Sequence, residues 1–465
     1  MLKNYFTVAL RNLSRNKTFT AINIAGLATG IAVFILIFEF VAAEWSSNRF
    51  HANFKQLYRV GSSGKAGDND FYLAPGFAPL MQQQVPAIKA IVRVTEDLGN
   101  GVISYTDEKT GQLKVLREEN IAFADSNFFQ AFSFPLVAGK PSLAAPNTMA
   151  MAASTAIKIF GSTRVSGKVI TLSNQFGNSS FRIAAVFQDP LEQSDIRPGI
   201  LLSLNTLQSA TGRNGNDWAD PNTLDNSFTN CYIVLQKGSN AKAISRQLTR
   251  IVHAAQPAAA DRTVVLQPFN ELHLAPSFSY PYQTFGSLKL VAMLLAVAVL
   301  VLLIAWINYI NLSTVQAMKR AKETGVRKVL GASRGQLTVQ YLTETLLITL
   351  LSVGLSFLIV QLLQGLFNSF TGKELSLGVL NHGWFWWALL AGILFGSLLS
   401  GGYVAFVLSS FRPVVAIRGK VTANGKGISL RKCLVVFQFT ISIVFIISTI
   451  ILYRQLQYMK HTDLG

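Results

Sequence analysis

Four Gly-Lys pairs are the first places to look for phosphate chemistry. A loop that cradles nucleotide phosphates needs G-x-x-x-x-G-K-[ST], because backbone N–H groups, a lysine and a magnesium-binding hydroxyl must converge on one ligand. Gly139-Lys140, Gly167-Lys168, Gly372-Lys373 and Gly425-Lys426 each lack either the upstream glycine or the following hydroxyl residue. The chain is therefore expected not to be an enzyme and to bind no cofactor, so any nucleotide energy must come from a partner. His51, His253, His273, His382 and His461 are scattered, and neither H-E-x-x-H nor C-x-x-C occurs, so no metal site is expected. Without a G-x-S-x-G elbow, no nucleophile–base pair is expected either. Two carboxylates, Glu39 and Glu344, fall inside long apolar runs, where ionisable groups are costly and read as functional by default. Glu39 is near one end of its run, placed to snorkel. Glu344 is close to a basic loop, so pairing with a Lys or Arg and a proton relay both remain open.

The elements that must position these residues are membrane helices. Half of the 465 residues are hydrophobic and only 14% are charged, against about a quarter in a soluble protein. Five apolar runs, 20–43, 287–309, 340–364, 384–408 and 433–453, reach the roughly 20 residues a spanning helix needs. The expected fold is a membrane α-helical bundle, four spans plus the first span of a second half. A large α+β extracytoplasmic domain, residues 44–285, is expected between spans one and two. The net charge of +18 is not a nucleic-acid signature, because that domain is nearly balanced, with 21 Lys/Arg against 18 Asp/Glu. The excess sits in three short segments: 1–19, the 310–337 loop and the 409–432 linker. Basic segments mark the cytoplasmic side. They predict a multi-pass membrane protein with a cytoplasmic N-terminus, residues 44–285 on the opposite side and membrane lipids as partners. Cys231 and Cys433 fall on different segments, so no disulfide between them is expected.

Residues 2–13 place Leu2, Tyr5, Phe6, Ala9, Leu10 and Leu13 at helical spacing. That pattern fits an interfacial helix on the inner leaflet, or a continuous extension of the first span. In the large domain, 90–96, 180–188, 231–236 and 264–267 read as strands. Residues 240–255 read as an amphipathic helix with Ile244, Leu248, Ile251 and Val252 on one face. The last 35 residues repeat the pattern of the first, a basic lead into an apolar helix, which predicts a fragment of a longer, two-half protein.

The densest basic cluster is the loop "MKRAKETGVRKVLGASRGQ", residues 318–336. Met318 continues a helical face, while Lys319, Arg320 and Lys322 lie off it and Glu323 is the one acid. Gly325 is expected to interrupt the helix. Val326, Val329 and Leu330 form a second small stripe beside Arg327 and Lys328. Gly331 fits a C′ stop, and Ser333 with Gln336 fits a capping box. Attraction to anionic lipid needs charge but neither caps nor stripes. An ordered loop is what a cytoplasmic partner could push on. Gly26 and Gly30, and Gly392, Gly396 and Ser400, recur at four-residue spacing, which lets helices approach closely within one bundle or across a two-fold interface. No span is expected to carry a polar stripe like that of a midplane transport site.

The segment "INYINLSTVQAMKRAKETGVRKVLGASRGQLTVQYLTETLL" resembles the FtsX/MacB-type permease domain of ABC transporters. "LRNLSRNKTFTAINIAGLATGIA", "NRFHANFKQLYRV", "FFQAFSFPLVAGKP", "AIKIFGS" and "SSFRPVVAIRGK" extend the resemblance over essentially the whole chain. The resemblance implies a MacB-like periplasmic core domain and a loop that couples to a separate cytoplasmic ABC ATPase, which carries ATP and magnesium. It also implies a dimer or pseudo-dimer of permease halves and a periplasmic cargo or adaptor protein. Mechanotransmission for export is the leading expectation. An FtsX-like regulator of a cell-wall hydrolase is the alternative, and a stand-alone membrane enzyme is a third.

Overall fold

The computed structural model describes residues 2–64, 69–107, 110–274, 286–319, 323, 325–326, 329–376, 383–409 and 425–461. The chain divides into two compact units. One comprises Met1–Ala42 with Ala292–Gly465, and the other is Ala43–Val291.

The Ala43–Val291 unit is built on one twisted sheet. In chain order its elements are β1 (Leu57–Ser63), β2 (Asn69–Asp70), β3 (Tyr72–Leu73), α3 (Phe77–Gln84), β4 (Ile88–Thr95), β5 (Gly101–Thr106), β6 (Leu113–Glu118), β7 (Ile121–Ala124), α4 (Phe128–Ala131), β8 (Leu136–Gly139), β9 (Thr148–Ala152), α5 (Ala153–Phe160), β10 (Val169–Asn174), β11 (Gly177–Phe187), β12 (Ile200–Ser203), α6 (Ala210–Arg213), β13 (Thr229–Leu235), α7 (Ala241–Ala255) and β14 (Thr263–Pro268). The strand order is β14-β1-β13-β4-β7-β12-β9-β11-β10-β5-β6. Most pairs are antiparallel, and β9–β11 and β7–β12 are parallel.

The reason for this layering is visible on β13, where every residue is buried. Strand side chains alternate in direction. Cys231, Ile233 and Leu235 pack with Phe77 and Met81 of α3 and with Ile244, Leu248, Ile251 and Val252 of α7. Tyr232 and Val234 join a second core with Phe128 and Phe132. A third core lies under α5, with Ala156 and Ile159 against Met149, Met151, Ile183 and Val186. The helix expected at 240–255 is α7, with the four expected residues on its buried face and Asn240 accepting from the Ala243 N–H as its N-cap. The four expected strands are β4, β11, β13 and β14.

The other unit is helical: α1 (Leu2–Arg15), α2 (Lys17–Ser46), α8 (Leu288–Lys319), α9 (Arg334–Thr371), α10 (Gly383–Ser409) and α11 (Gly425–His461), counting those helices whose ends run on into the neighbouring unit. Long apolar stretches lie at Lys17–Ser46, Leu288–Gln316, Gly335–Thr371 and Lys432–Met459, and a shorter one at Leu389–Gly402. The core joins Leu27, Ile31, Ile35 and Leu36 of α2 to Ala305 of α8 and to Val353 and Val360 of α9. The first helix is a separate element whose expected apolar face divides. Ala9 and Leu13 are buried, whereas Phe6 and Leu10 are exposed. Asn12 of α1 donates from Nδ2 to Glu344 Oε2 of α9 at 3.4 Å.

One expectation is corrected here. Glu39 does not snorkel: it is 4% exposed, and its Oε2 accepts from Gln364 Nε2 at 3.2 Å. A glutamine of α9 bonds one carboxylate oxygen, and the other, Oε1, is buried with no hydrogen-bond partner among the described residues. Thr345, Thr349, Ser352 and Ser356 of α9 are all buried. Thr349, Ser352 and Ser356 donate to carbonyls of their own helix, those of Thr345, Ile348 and Val353. Thr349 also accepts from Ser397 of α10 at 3.3 Å, and Thr345 accepts from Tyr309 of α8 at 3.0 Å. Small hydroxyl residues that bond their own backbone pack helices closely and leave no open polar lining.

Candidate functional site

The candidate site is the turn between α8 and α9. Met318 and Lys319 lie in the last turn of α8. Arg320, Lys322, Arg327 and Lys328 fall outside the described residues. Glu323 is helical and exposed. Gly325 is helical and buried, and Val326 is helical. The Leu330 N–H donates to the Val326 carbonyl at 3.0 Å. Gly331 then takes φ +97°, and a Cβ there would meet nothing within 4 Å. Its glycine identity serves the backbone reversal, the need read in the sequence as a stop.

The restart is equally defined. Ser333 Oγ accepts from the Gln336 N–H at 3.2 Å, and Gln336 Oε1 accepts from the Ser333 N–H at 3.0 Å. This reciprocal box fixes the first turn of α9. Between the two fixed ends, Val326, Val329 and Leu330 are 46%, 65% and 80% exposed. Leu330 is thus not part of a core in this turn. The turn can supply an apolar knob on a short, capped lever inside a basic segment.

The small residues are placed as follows. A Cβ on Gly30 would lie 2.4 Å from Ala305 Cβ, so α2 and α8 touch there backbone to backbone. Gly26 faces Asn308. Gly396 lies under the Trp306 indole, where a Cβ would come within 2.6 Å. Ser400 is buried and donates to the Gly396 carbonyl. Gly392 is exposed and has nothing within 4 Å. Gly401, which the spacing argument missed, packs on Leu342 and Thr345 of α9. Its adjacency to Ser400 and Gly402 was the available signal.

A second cluster was invisible in the sequence. His273 is 4% exposed, and its Nδ1 lies 2.6 Å from Asp195 Oδ1 and its Nε2 3.1 Å from Glu44 Oε2. His51 is also buried. Its Nδ1 accepts from the Ser133 N–H at 3.0 Å, and the rings of Phe50, Phe132, Phe134 and Phe269 surround it. Burial in that apolar box lowers its pKa to about 4. The Cys231 thiol is pushed up by burial, and both cysteines are free.

Long apolar helices, with a large α/β domain inserted between the first two, define a multi-pass membrane protein. The MacB-like periplasmic core domain profile matches residues 20–251, and the FtsX-like permease C-terminal profile matches residues 295–413. The chain belongs to the FtsX/MacB-type permeases of ABC transporters. It is 30% identical over 110 residues to the ABC transporter permease YknZ of Bacillus subtilis, covering 22% of this chain and 26% of that one. It is also 30% identical over 158 residues to the macrolide export ATP-binding/permease protein MacB of Bdellovibrio bacteriovorus, covering 32% and 22%. The chain thus spans about a quarter of the length of the curated relatives it matches. Among solved structures it is similar to a permease-protein domain from Porphyromonas gingivalis, with 18% identity, TM-score 0.39 and coverage of 50% of this chain and 97% of that one. It is also similar to the periplasmic region of MacB from Actinobacillus actinomycetemcomitans, with 12% identity, TM-score 0.32 and coverage of 45% and 88%.

Proposed function

We propose that the chain transmits ATP-driven motion of a separate cytoplasmic ABC ATPase across the inner membrane to its Ala43–Val291 domain. That domain acts on periplasmic export cargo. The observation that carries this reading is the exposed Val326–Val329–Leu330 turn, held between a helix end and a capping box in the loop with the densest basic cluster of the chain. Lipid attraction alone would use the bases and would not require Leu330 to stand 80% exposed on a fixed turn. Burying such a side chain in a partner is worth roughly 1.5–3 kcal/mol. The buried hydroxyls of α9 bond their own helix, so the reading is of levers rather than of a channel. Gly392 and the lipid-exposed faces of α11 are the surfaces on which a second permease half would pack.

The test is co-purification with a co-expressed cytoplasmic ABC ATPase from the same genome, using Leu330→Asp and Val329→Asp. Both substitutions should abolish binding and ATPase stimulation while the chain stays folded. Unchanged stimulation in both would remove the turn from the mechanism. ATP-dependent release of cargo separates export from the hydrolase-regulator alternative, in which a cell-wall hydrolase would be retained on residues 44–285 instead.

A further inference from the structure

Three stretches of chain meet at the His273 cluster. Glu44, in the last turn of α2, is 2% exposed, and Asn48 follows it fully buried. Asp195 comes from the 191–197 loop. That loop is stiffened by Ser194 Oγ donating to the Ile196 carbonyl at 2.7 Å and by Arg197 Nε donating to the Ser194 carbonyl at 2.6 Å. His273 comes from the segment that leads towards α8, and the Leu288 N–H donates back to the Leu274 carbonyl at 3.2 Å. Gly286 packs flat on the histidine, where a Cβ would lie 2.7 Å from Cδ2 and Nε2.

The polar groups close on one another. Both imidazole nitrogens face carboxylate oxygens, one from each of the other two stretches of chain. The remaining Asp195 oxygen, Oδ2, accepts from Asn48 Nδ2 at 2.6 Å, and the Asp195 N–H donates to Asn48 Oδ1 at 2.9 Å. The Asn48 N–H donates to the Gln193 carbonyl at 2.8 Å. Asn48 makes this set of bonds at φ +64°, a conformation asparagine tolerates better than most residues.

We propose that Glu44, Asp195 and His273 form a buried polar clasp that binds the chain leaving α2 to the chain entering α8. The two segments through which this domain continues into the helices are thereby held as one piece, and displacement of either carries the other and the 191–197 loop. The side chains are 5% exposed or less, so the bonds are shielded from screening. Hydrogen bonds buried in this way make local opening of one segment without the other rare. An isolated surface pair would not do this.

Hydrogen exchange on the full chain in lipid nanodiscs tests the clasp without any ATPase, so its outcome is independent of the coupling proposal. The reporters are the amides of Asn48, Asp195 and Leu288, one on each stretch. His273→Gln should speed exchange at all three together by at least about tenfold while β4 and β13 keep their protection. Gly286→Ala, which leaves every charge in place but forces the ring to move, should do the same. Should His273→Gln strip protection from β13 as well, Gly286→Ala and Glu44→Gln decide by the same three reporters. Faster exchange at Leu288 with Asn48 and Asp195 still protected, or no change in any of the three, would overturn the clasp.

Discussion

Replacing Asp125 with alanine should loosen the Ala43–Val291 domain by a large and readable amount. Arg93 on β4 meets Asp125 fork to fork, with Nη2 to Oδ1 at 2.8 Å and Nε to Oδ2 at 2.9 Å. The Arg93 N–H also donates to Asp125 Oδ2 at 2.8 Å, and Nη1 reaches the Pro221 carbonyl at 2.8 Å. The side chains are only 12% and 15% exposed, so this is not a surface pair. Removing one partner of such a pair strands the other charge and costs about 3–5 kcal/mol. The assay uses Cys231, which pairs with Arg93 across β4 and β13 and is fully buried. With Cys433→Ser in the background it is the sole thiol. Its labelling by a soluble maleimide requires β13 to open. At about 1.4 kcal/mol per tenfold, Asp125→Ala should raise opening-limited labelling by roughly 10²–10⁴. Asp125→Asn, which keeps an acceptor, should raise it less. Replacing the pair by Arg93→Met with Asp125→Leu should recover much of the loss, because the stranded charge is gone. A change of less than about fivefold for Asp125→Ala would refute the reasoning, since a surface ion pair gives no more.

Two further outcomes follow from single contacts. His51 is neutral when folded, with its pKa lowered to about 4 by burial, so the unfolded chain binds the extra proton first as pH falls. The domain should lose roughly 3 kcal/mol between pH 6.5 and 4, and none from this group above pH 6.5; denaturant midpoints of wild type and His51→Asn across that window check it, and parallel curves would exclude the histidine. In the helical unit, Gly30→Leu should lower thermal stability in detergent, because a Cβ there already lies 2.4 Å from Ala305 Cβ. Gly392→Leu, in open space, should leave that stability unchanged, and equal effects at the two sites would show that spacing rather than contact sets the loss.

Much of the fold was legible in the sequence, because local patterns carried it. Alternation found β4, β11, β13 and β14, and the 3.6-residue period found the buried face of α7. The Gly331 reversal and the Ser333–Gln336 box were readable because each requirement is met within four residues of chain. The same local rules failed where two elements had to meet. Gly26, Gly30, Gly392 and Gly396 looked alike, yet Gly30 and Gly396 sit against α8 and Gly392 against nothing.

What the sequence alone determined was therefore the class of protein: long apolar helices, a charge-balanced inserted domain, and a basic loop with its own stops. Those properties are set by composition and short-range period, which survive any arrangement of the helices. Only the tertiary structure decided which polar groups are satisfied. Glu39 finds Gln364 at a separation of 325 residues, and Glu44 finds His273 at 229, so no window along the chain contains either pair. A buried charge is tolerated or ruinous according to a partner that folding alone brings within 3 Å or so, and that distance is not written in spacing.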